Sequence, residues 1–259
     1  MTKRSDIHPL PADAGHDAAP PEAFPNGCDF NSGDMKRDWE ARARCSAKEY
    51  ILTGYGNRND EEFWASARGA FESWRGFVND RSVVVDLGAG IGRLTREVAP
   101  HVKTIYAVDV SAEMLRQARQ NLAAFPNVVF YENDGYRLDQ IPDGSVDFIF
   151  ANLVLHHVFE DACQSYLREA ARILRPGGRF WFSVGWRAEG SNWTRPSTGD
   201  TFTGRFYTDR ELAAMLGRRM TIESREVPPG SPFCVVVARK KPRWPWQWLA
   251  LRAGGAAGR

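Results

Sequence analysis

From residue 81 onward, short apolar runs alternate with longer stretches in which apolar residues recur every three or four positions. Ser82–Leu87, Thr104–Val110, Asn127–Glu132, Val146–Asn152 and Arg179–Val184 have the length and the β-branched or aromatic content of strands. Between them, Met114, Leu115, Ala118 and Leu122 fall on one helical face, as do Tyr166, Leu167, Ala170, Ile173 and Leu174. Ser111 reads as the cap that opens the first helix, and Pro176-Gly177-Gly178 as the break that stops the second. Near-continuous apolar strands spaced by amphipathic helices predict an α/β domain with a mostly parallel sheet covered on both faces.

The flanks differ. Residues 1–33 are rich in Pro, Ala, Asp and Gly without periodicity, which predicts a disordered tail. Residues 34–80 predict a helical arm. Trp39, Ala43, Ala47, Tyr50 and Ile51 recur at helical spacing across Met35–Thr53. Asn59, with Glu62 three residues on, then opens a second helix that carries Phe63, Trp64, Ala67, Phe71 and Trp74 on one face. Further along, Thr208 and Glu211 form a capping-box pattern ahead of Leu212, Met215 and Leu216. Strands near Met220–Val227 and Pro232–Ala238 are linked only by Pro228-Pro229-Gly230, which suits an antiparallel hairpin and is too short for a parallel crossover. The core thus spans 81–238, and 239–259 is a separate tail.

The 259 residues suit one α/β domain with appendages, and 34 Lys and Arg against 32 Asp and Glu leave too little net charge to imply nucleic acid. Cys28, Cys45, Cys163 and Cys234 form no C-x-x-C pair and no metal-ligand spacing with histidine, so free thiols and no metal are expected. No signal-peptide core and no run long enough to span a bilayer occur, which predicts a cytoplasmic location.

The chemistry concentrates at Val83-Val84-Val85-Asp86-Leu87-Gly88-Ala89-Gly90-Ile91-Gly92. Glycines there allow a sharp strand-to-helix turn and a close approach of backbone to ligand. Asp109 closes the next strand, where a carboxylate can accept both hydroxyl protons of a ribose. The spacing G-x-G-x-G differs from the dinucleotide fingerprint G-x-G-x-x-G, whose helix receives a pyrophosphate. Asp86, ahead of the glycines, would repel phosphate and attract a cation. S-adenosylmethionine, a sulfonium without phosphate, meets those conditions better than NAD. Each acid also has a plainer use: Asp86 as a bond to turn amides, Asp109 as a helix cap, Asp134 as part of an ordinary Asp-Gly turn.

Over roughly Arg81–Ala238 the chain resembles the class I S-adenosylmethionine-dependent methyltransferases, in their small-molecule methyltransferase-domain branch. The resemblance rests on five segments in order: Val84–Gly92, Ala107–Ser111 with Met114-Leu115, Glu132–Gly135, Val146–His157 and Arg172–Gly178. It implies a doubly wound, Rossmann-like, seven-stranded sheet ending in the hairpin, with S-adenosylmethionine as cofactor. It further implies that Gly88, Ala89 and Gly90 lie against the methionine and ribose. Asp109 with Val110 would hold the ribose, Asp134 with Gly135 the adenine, and Asn152 with Leu153 the methionine moiety. The arm, through Trp39 and Arg42, would close over the cofactor.

His156 and His157 follow the fourth strand, where a histidine can take a proton from an acceptor hydroxyl, although either can simply pack. The acceptor pocket is expected from Gly185–Tyr207, with Trp186, Trp193, Arg205 and Tyr207, against the alternative of a loop that plugs the core. Gln164 and Tyr166 are expected to be structural or exposed. The acid-free tail joins Arg239-Lys240-Lys241 to Trp244, Trp246, Trp248 and Leu249. Residues 239–252 therefore suggest peripheral contact with an anionic membrane, against fold-back or partner binding, with RNA ranked below both. The function expected is methyl transfer to O, N or C of a small molecule, such as a natural product, a sugar or a lipid- or quinone-like compound. The rivals are a nicotinamide-dependent oxidoreductase and a non-catalytic S-adenosylmethionine-binding scaffold. Neither the acceptor nor the oligomeric state is written in the sequence.

Overall fold

A computed structural model describes residues 31–52, 59–192, 201–202, 204–229 and 231–242. The expected tail 1–33, apart from its last three residues, the basic tail beyond 242 and Trp193 lie outside them.

The sheet forms because its central strands are apolar on both faces. β1 (Val83–Leu87), β2 (Thr104–Asp109), β3 (Val128–Glu132), β4 (Val146–Ala151) and β5 (Leu174–Trp186) run parallel, and the antiparallel pair β7 (Met220–Glu226) and β8 (Phe233–Lys240) completes the order 3-2-1-4-5-8-7. A two-residue strand, β6 (Phe206–Tyr207), adds to the end of β5 and makes eight strands rather than the expected seven. Alternation along each strand divides the core. Val85, Leu87, Val108, Ile149 and Phe182 face α6 (Glu160–Ile173) and α7 (Asp209–Leu216). Val84, Ile105, Ala107, Phe148 and Trp181 face α3 (Ala67–Trp74), α4 (Arg93–Val98) and α5 (Ala112–Asn121).

The local start signals act as their chemistry requires. Ser111 Oγ accepts from the Met114 amide, Asn59 from that of Glu62, and Thr208 with Glu211 forms a reciprocal capping box. Three boundaries differ from the sequence reading. The second arm helix breaks at Ser66 into α2 (Asp60–Ala65) and α3. β5 begins at Leu174, ahead of Pro176-Gly177-Gly178, because Leu174 already pairs with Val146 and the glycines form an irregularity inside the strand. α1 (Met35–Ile51) is kinked at Ser46. It also buries two charged residues, Asp38 and Arg42, on the face expected to be apolar.

α1 lies across the open end of the parallel strands. Ala43, Ala47, Phe63, Ile91 and Met114 form a third small core that seats it on the glycine turn and on α5. Glu40 adds a polar clasp: its carboxylate accepts from Ser111 Oγ at 2.7 Å and from the Glu113 amide at 3.0 Å, at the positive end of α5. Burial would raise the Glu40 pKa, but these bonds and Arg44 outweigh it and hold the carboxyl below its ordinary value.

Candidate functional site

Where β1 ends, the chain must turn into α4 within a few residues. Gly88, Gly90 and Gly92 all have φ between +54° and +88°, a region that costs an L side chain about 1 kcal/mol or more. Space is short as well. A Cβ on Gly88 would run into Val154, and one on Gly90 would stand 2.8 Å from Ile51 Cδ1 of α1. The amides of Gly88 and Ala89 donate to the Val108 carbonyl, which fastens the turn to the end of β2. Leu153, just past β4, is the non-glycine residue with positive φ (+59°) among the described residues, and its amide donates to Ser183 Oγ at 2.7 Å. Strain held in this way often marks a ligand site.

These turns enclose a cavity of about 660 Å³, counting its open mouth. Its floor is the carboxyl ends of β1 and β2 with their turns: Leu87, Gly88, Gly90, Val108, Asp109 and Val110. One side is Met114, Asn133 and Tyr166; the other is Asn152, Leu153, Val154, His157 and Val158. The roof comes from α1: Met35, Trp39, Tyr50 and Ile51. Among the described residues of this lining, Asp109 is the one that can carry a full negative charge near neutrality, and no Lys or Arg is present.

Asp109 binds the turn with both oxygens. Oδ2 accepts from the Gly90 amide at 2.8 Å and Oδ1 from the Ser111 amide at 2.9 Å. Burial outweighs these bonds and raises its pKa to about 6. Asn133 donates through Nδ2 to Tyr166 Oη at 2.9 Å and to the Arg137 carbonyl, while its Oδ1 is buried with no hydrogen-bond partner. An orphaned acceptor in a cavity wall suits a ligand that brings an N–H.

His157 stands against Trp39, ring centroids 5.6 Å apart and edge-on, and its Nδ1 lies 2.9 Å from the Phe202 carbonyl. A carbonyl can only accept, so Nδ1 carries a proton and donates it there. His156 turns the other way, packed at 4.6 Å against Phe233, and burial together with His157 holds its pKa well below the usual histidine value.

Gly88, Gly90, Asp109, Val110, Asn152, Leu153 and His157 thus surround one cavity. Trp39 of the arm lines it too, and among the described residues the remaining candidates lie outside its lining. Asp86 is fully buried and accepts from Thr95 Oγ1 at 2.6 Å, one turn into α4, so it braces the glycine turn from behind rather than meeting a ligand. Burial pushes its pKa up to about 7. Ala89 is buried in the packing behind the turn. Asp134 faces out, bonded to the amides of Tyr136 and Arg137 and to the Arg137 guanidinium. Gly135 is covered by Met35 of the arm.

The expected acceptor residues after β5 serve the framework. Trp186 donates to Asp209 and lies under the Arg225 guanidinium. The Arg205 amide donates to the His156 carbonyl, and its guanidinium lies over Phe159. Tyr207 is buried beside Cys163. Arg42 is buried between Trp39, Tyr50 and Phe202, and its guanidinium donates to the Thr201 carbonyl and hydroxyl. Sequence reasoning passed over Asn133 and Tyr166, and the only available signal was their place beside Asp134 and on the buried face of α6. Tyr50 and Ile51 were legible as part of the amphipathic face of an arm expected to close over the cofactor through Trp39 and Arg42, whereas Met35 was not on that face.

Residues 85–182 match the protein family described as Methyltransferase domain. The demethylmenaquinone methyltransferase of Tropheryma whipplei (strain Twist) is 38% identical over 96 residues, 37% of this chain and 38% of that protein. The trans-aconitate 2-methyltransferase of Azoarcus sp. (strain BH72) is 41% identical over 104 residues, 39% of this chain and 38% of that one. The matched stretch is therefore well under half the length of these curated relatives. Among solved structures, the DhpI complex with S-adenosylhomocysteine superposes with a TM-score of 0.56 at 25% identity, over 83% of this chain and 98% of that one. Phosphoethanolamine N-methyltransferase 1 of Haemonchus contortus, with phosphoethanolamine and S-adenosylhomocysteine, reaches 0.61 at 17% identity, over 82% and 49%. The fold alone does not set the reaction, since the cyclase SpnF also superposes, at 0.56 and 18% identity.

Proposed function

We propose that this chain, which carries a class I S-adenosylmethionine-dependent methyltransferase domain, transfers a methyl group from that cofactor to a small-molecule acceptor held beneath its N-terminal arm. The observation that carries this reading is the charge of the cavity: a buried carboxylate, Asp109, among apolar and amide groups, with no Lys or Arg among the described residues of the lining. Such a wall favours a phosphate-free cationic nucleoside and offers a pyrophosphate a buried carboxylate with no cationic side chain to offset it.

In this reading Asp109 accepts the ribose hydroxyl protons. Asn133 Oδ1, rather than Asp134, accepts from the adenine amino group, and Leu87, Val108, Val110 and Met114 give the base flat apolar surfaces. Asn152 and Leu153 flank the amino-acid portion. The cofactor supplies a methyl group on a good neutral leaving group, so the protein's tasks are alignment and the exclusion of water. α1 performs the second task by laying Trp39, Tyr50 and Ile51 over the cavity.

The acceptor class is bounded by what the lining offers. The named relatives act on a demethylmenaquinone and on trans-aconitate, and both names are consistent with a small molecule rather than a macromolecule. Incubation with methyl-labelled cofactor and a fractionated cell extract tests the reading. Label is expected in a low-molecular-weight product. Label confined to protein or nucleic acid would contradict it.

A further inference from the structure

We propose that the chain docks on an anionic membrane surface through residues 239–252 and the end of the sheet from which they leave, with the cavity turned toward water. This surface shares no residue with the cavity.

The chemistry begins in the sequence. Between Glu226 and Arg259 no acid occurs, while Arg239, Lys240, Lys241, Arg243 and Arg252 bring positive charge. Trp244, Trp246, Trp248, Leu249 and Leu251 lie between the last two of these bases. An indole joins a large apolar ring to one N–H donor, and it settles at the headgroup level of a bilayer, where one side is apolar and the other wet. Bases beside such rings are drawn to anionic headgroups, with a gain in affinity of about fivefold for each Lys or Arg near the surface. Trp244–Arg252 is too short to span a bilayer and is interrupted by Pro245, so it suits the interface alone.

The fold adds a second set of charges. β8 runs antiparallel to β5, so its last residues reach the end of the sheet at which the parallel strands begin. Arg239 stands opposite Arg179, and Lys240 opposite Met220, the first residue of β7. The Lys241 amide donates to the Arg219 carbonyl at 3.0 Å, which ties the start of the tail to the turn between α7 and β7. Exposed bases precede three strands at this end: Arg81 before β1, Lys103 before β2, and Arg218 with Arg219 before β7. Of the acids near them, Glu223 is engaged by Arg179 and Arg239, Asp147 by Arg175, and Asp143 by Arg172. Asp80, exposed beside Arg81, offsets one charge and leaves the excess positive.

An anionic bilayer meets both features at once. Its surface is broad enough for bases spread along a sheet edge, and its apolar layer takes the side chains of the tail. RNA would pair with the bases and stack on tryptophan, but Leu249 and Leu251 offer a base no stacking surface. The cavity lies at the other end, at the carboxyl ends of β1, β2 and β4. Between Arg179 and Gly185, β5 alone rises about 20 Å. A bilayer on the basic end therefore leaves the cavity and α1 in water, and the acceptor enters from the aqueous side.

Co-sedimentation of the full chain with vesicles provides the test, with phosphatidylcholine alone and with about one-third phosphatidylserine added. Binding to the anionic vesicles is expected, about tenfold or more weaker to the neutral ones, and strongly reduced at about 1 M salt. R218E/R219E/K241E reverses charge on the body, and W244S/W246S/W248S keeps every charge; each should lose about tenfold or more. Both variants should bind S-adenosylhomocysteine within about twofold of wild type, as should wild type with vesicles present. No binding to anionic vesicles, equal binding to neutral ones, or full binding by either variant would overturn the docking. Tighter binding of oligouridylate than of anionic vesicles would give the surface to nucleic acid and overturn it as well. A large change in S-adenosylhomocysteine affinity on adding vesicles would overturn the orientation. Failure to bind S-adenosylhomocysteine at all would overturn the methyl-transfer reading and leave the vesicle result standing.

Discussion

In the proposed reading, Asp109 serves structure and ligand at once. Its carboxylate fastens the Gly90 and Ser111 amides, and those same N–H groups partly offset the burial that raises its pKa to about 6. A ribose donates hydroxyl protons to the ionised form. Affinity for S-adenosylhomocysteine should therefore be level above pH 6 and fall as pH drops below it, by about tenfold per unit. D109N should bind weakly with that dependence gone, and calorimetry from pH 5 to 8 reads both. The sign for the unliganded protein is opposite. Asp86 and Asp109 hold protons more tightly folded than unfolded, so their contribution to stability is present at low pH and is lost as pH rises from about 4 through 6 and 7.

Asn133 provides a second test at this scale. Replacing it with leucine removes the orphaned acceptor along with the bonds to Tyr166 and Arg137. The informative quantity is a ratio. Wild type should favour S-adenosylhomocysteine over S-inosylhomocysteine, which lacks the amino group, by about tenfold, the worth of one good hydrogen bond. N133L should show no preference. An unchanged ratio would remove Asn133 from the adenine site.

Among the elements, the glycine turn and α1 are fitted to each other. Gly90 has φ +54° and no room for a Cβ, because Ile51 Cδ1 would be 2.8 Å away. G90A should lower the thermal midpoint by a few degrees, about 2–4 °C per kcal/mol in a domain of this size. It should also weaken S-adenosylhomocysteine binding. In I51A/G90A the steric share of both losses should return, leaving the backbone share; full persistence of the defect would mean that the arm does not rest on the turn.

What the sequence shows at this scale is local chemistry. The strand cores, the Ser111 and Thr208 caps and the short antiparallel link were legible because each depends on neighbours a few residues apart. The break at Ser66 and the early start of β5 were not, since tertiary pairing decides them. The buried Arg42 escaped periodicity for the same reason. Its partners, Thr201 and Phe202, lie far along the chain. The site divides similarly. Glycines and the strand-end Asp109 announce themselves, whereas Asp86 reads as a ligand acid and turns out to serve Thr95. The aromatic segment after β5 reads as a pocket, and its described members brace β5, β6 and α7 instead.

Across the whole molecule, an eight-stranded sheet presents the carboxyl ends of β1, β2 and β4 to one cavity, and a helix from the opposite end of the sequence covers it. Among the described residues, no helix is long and apolar enough to cross a membrane. The cavity's charge is the property on which the functional reading turns, and two ligands with opposite demands examine it directly. Isothermal titration of the full chain should show one-to-one binding of S-adenosylhomocysteine, abolished or strongly weakened in D109N, and no binding of NADH under the same conditions. Tight binding of NADH with none of S-adenosylhomocysteine would contradict the reading at its root.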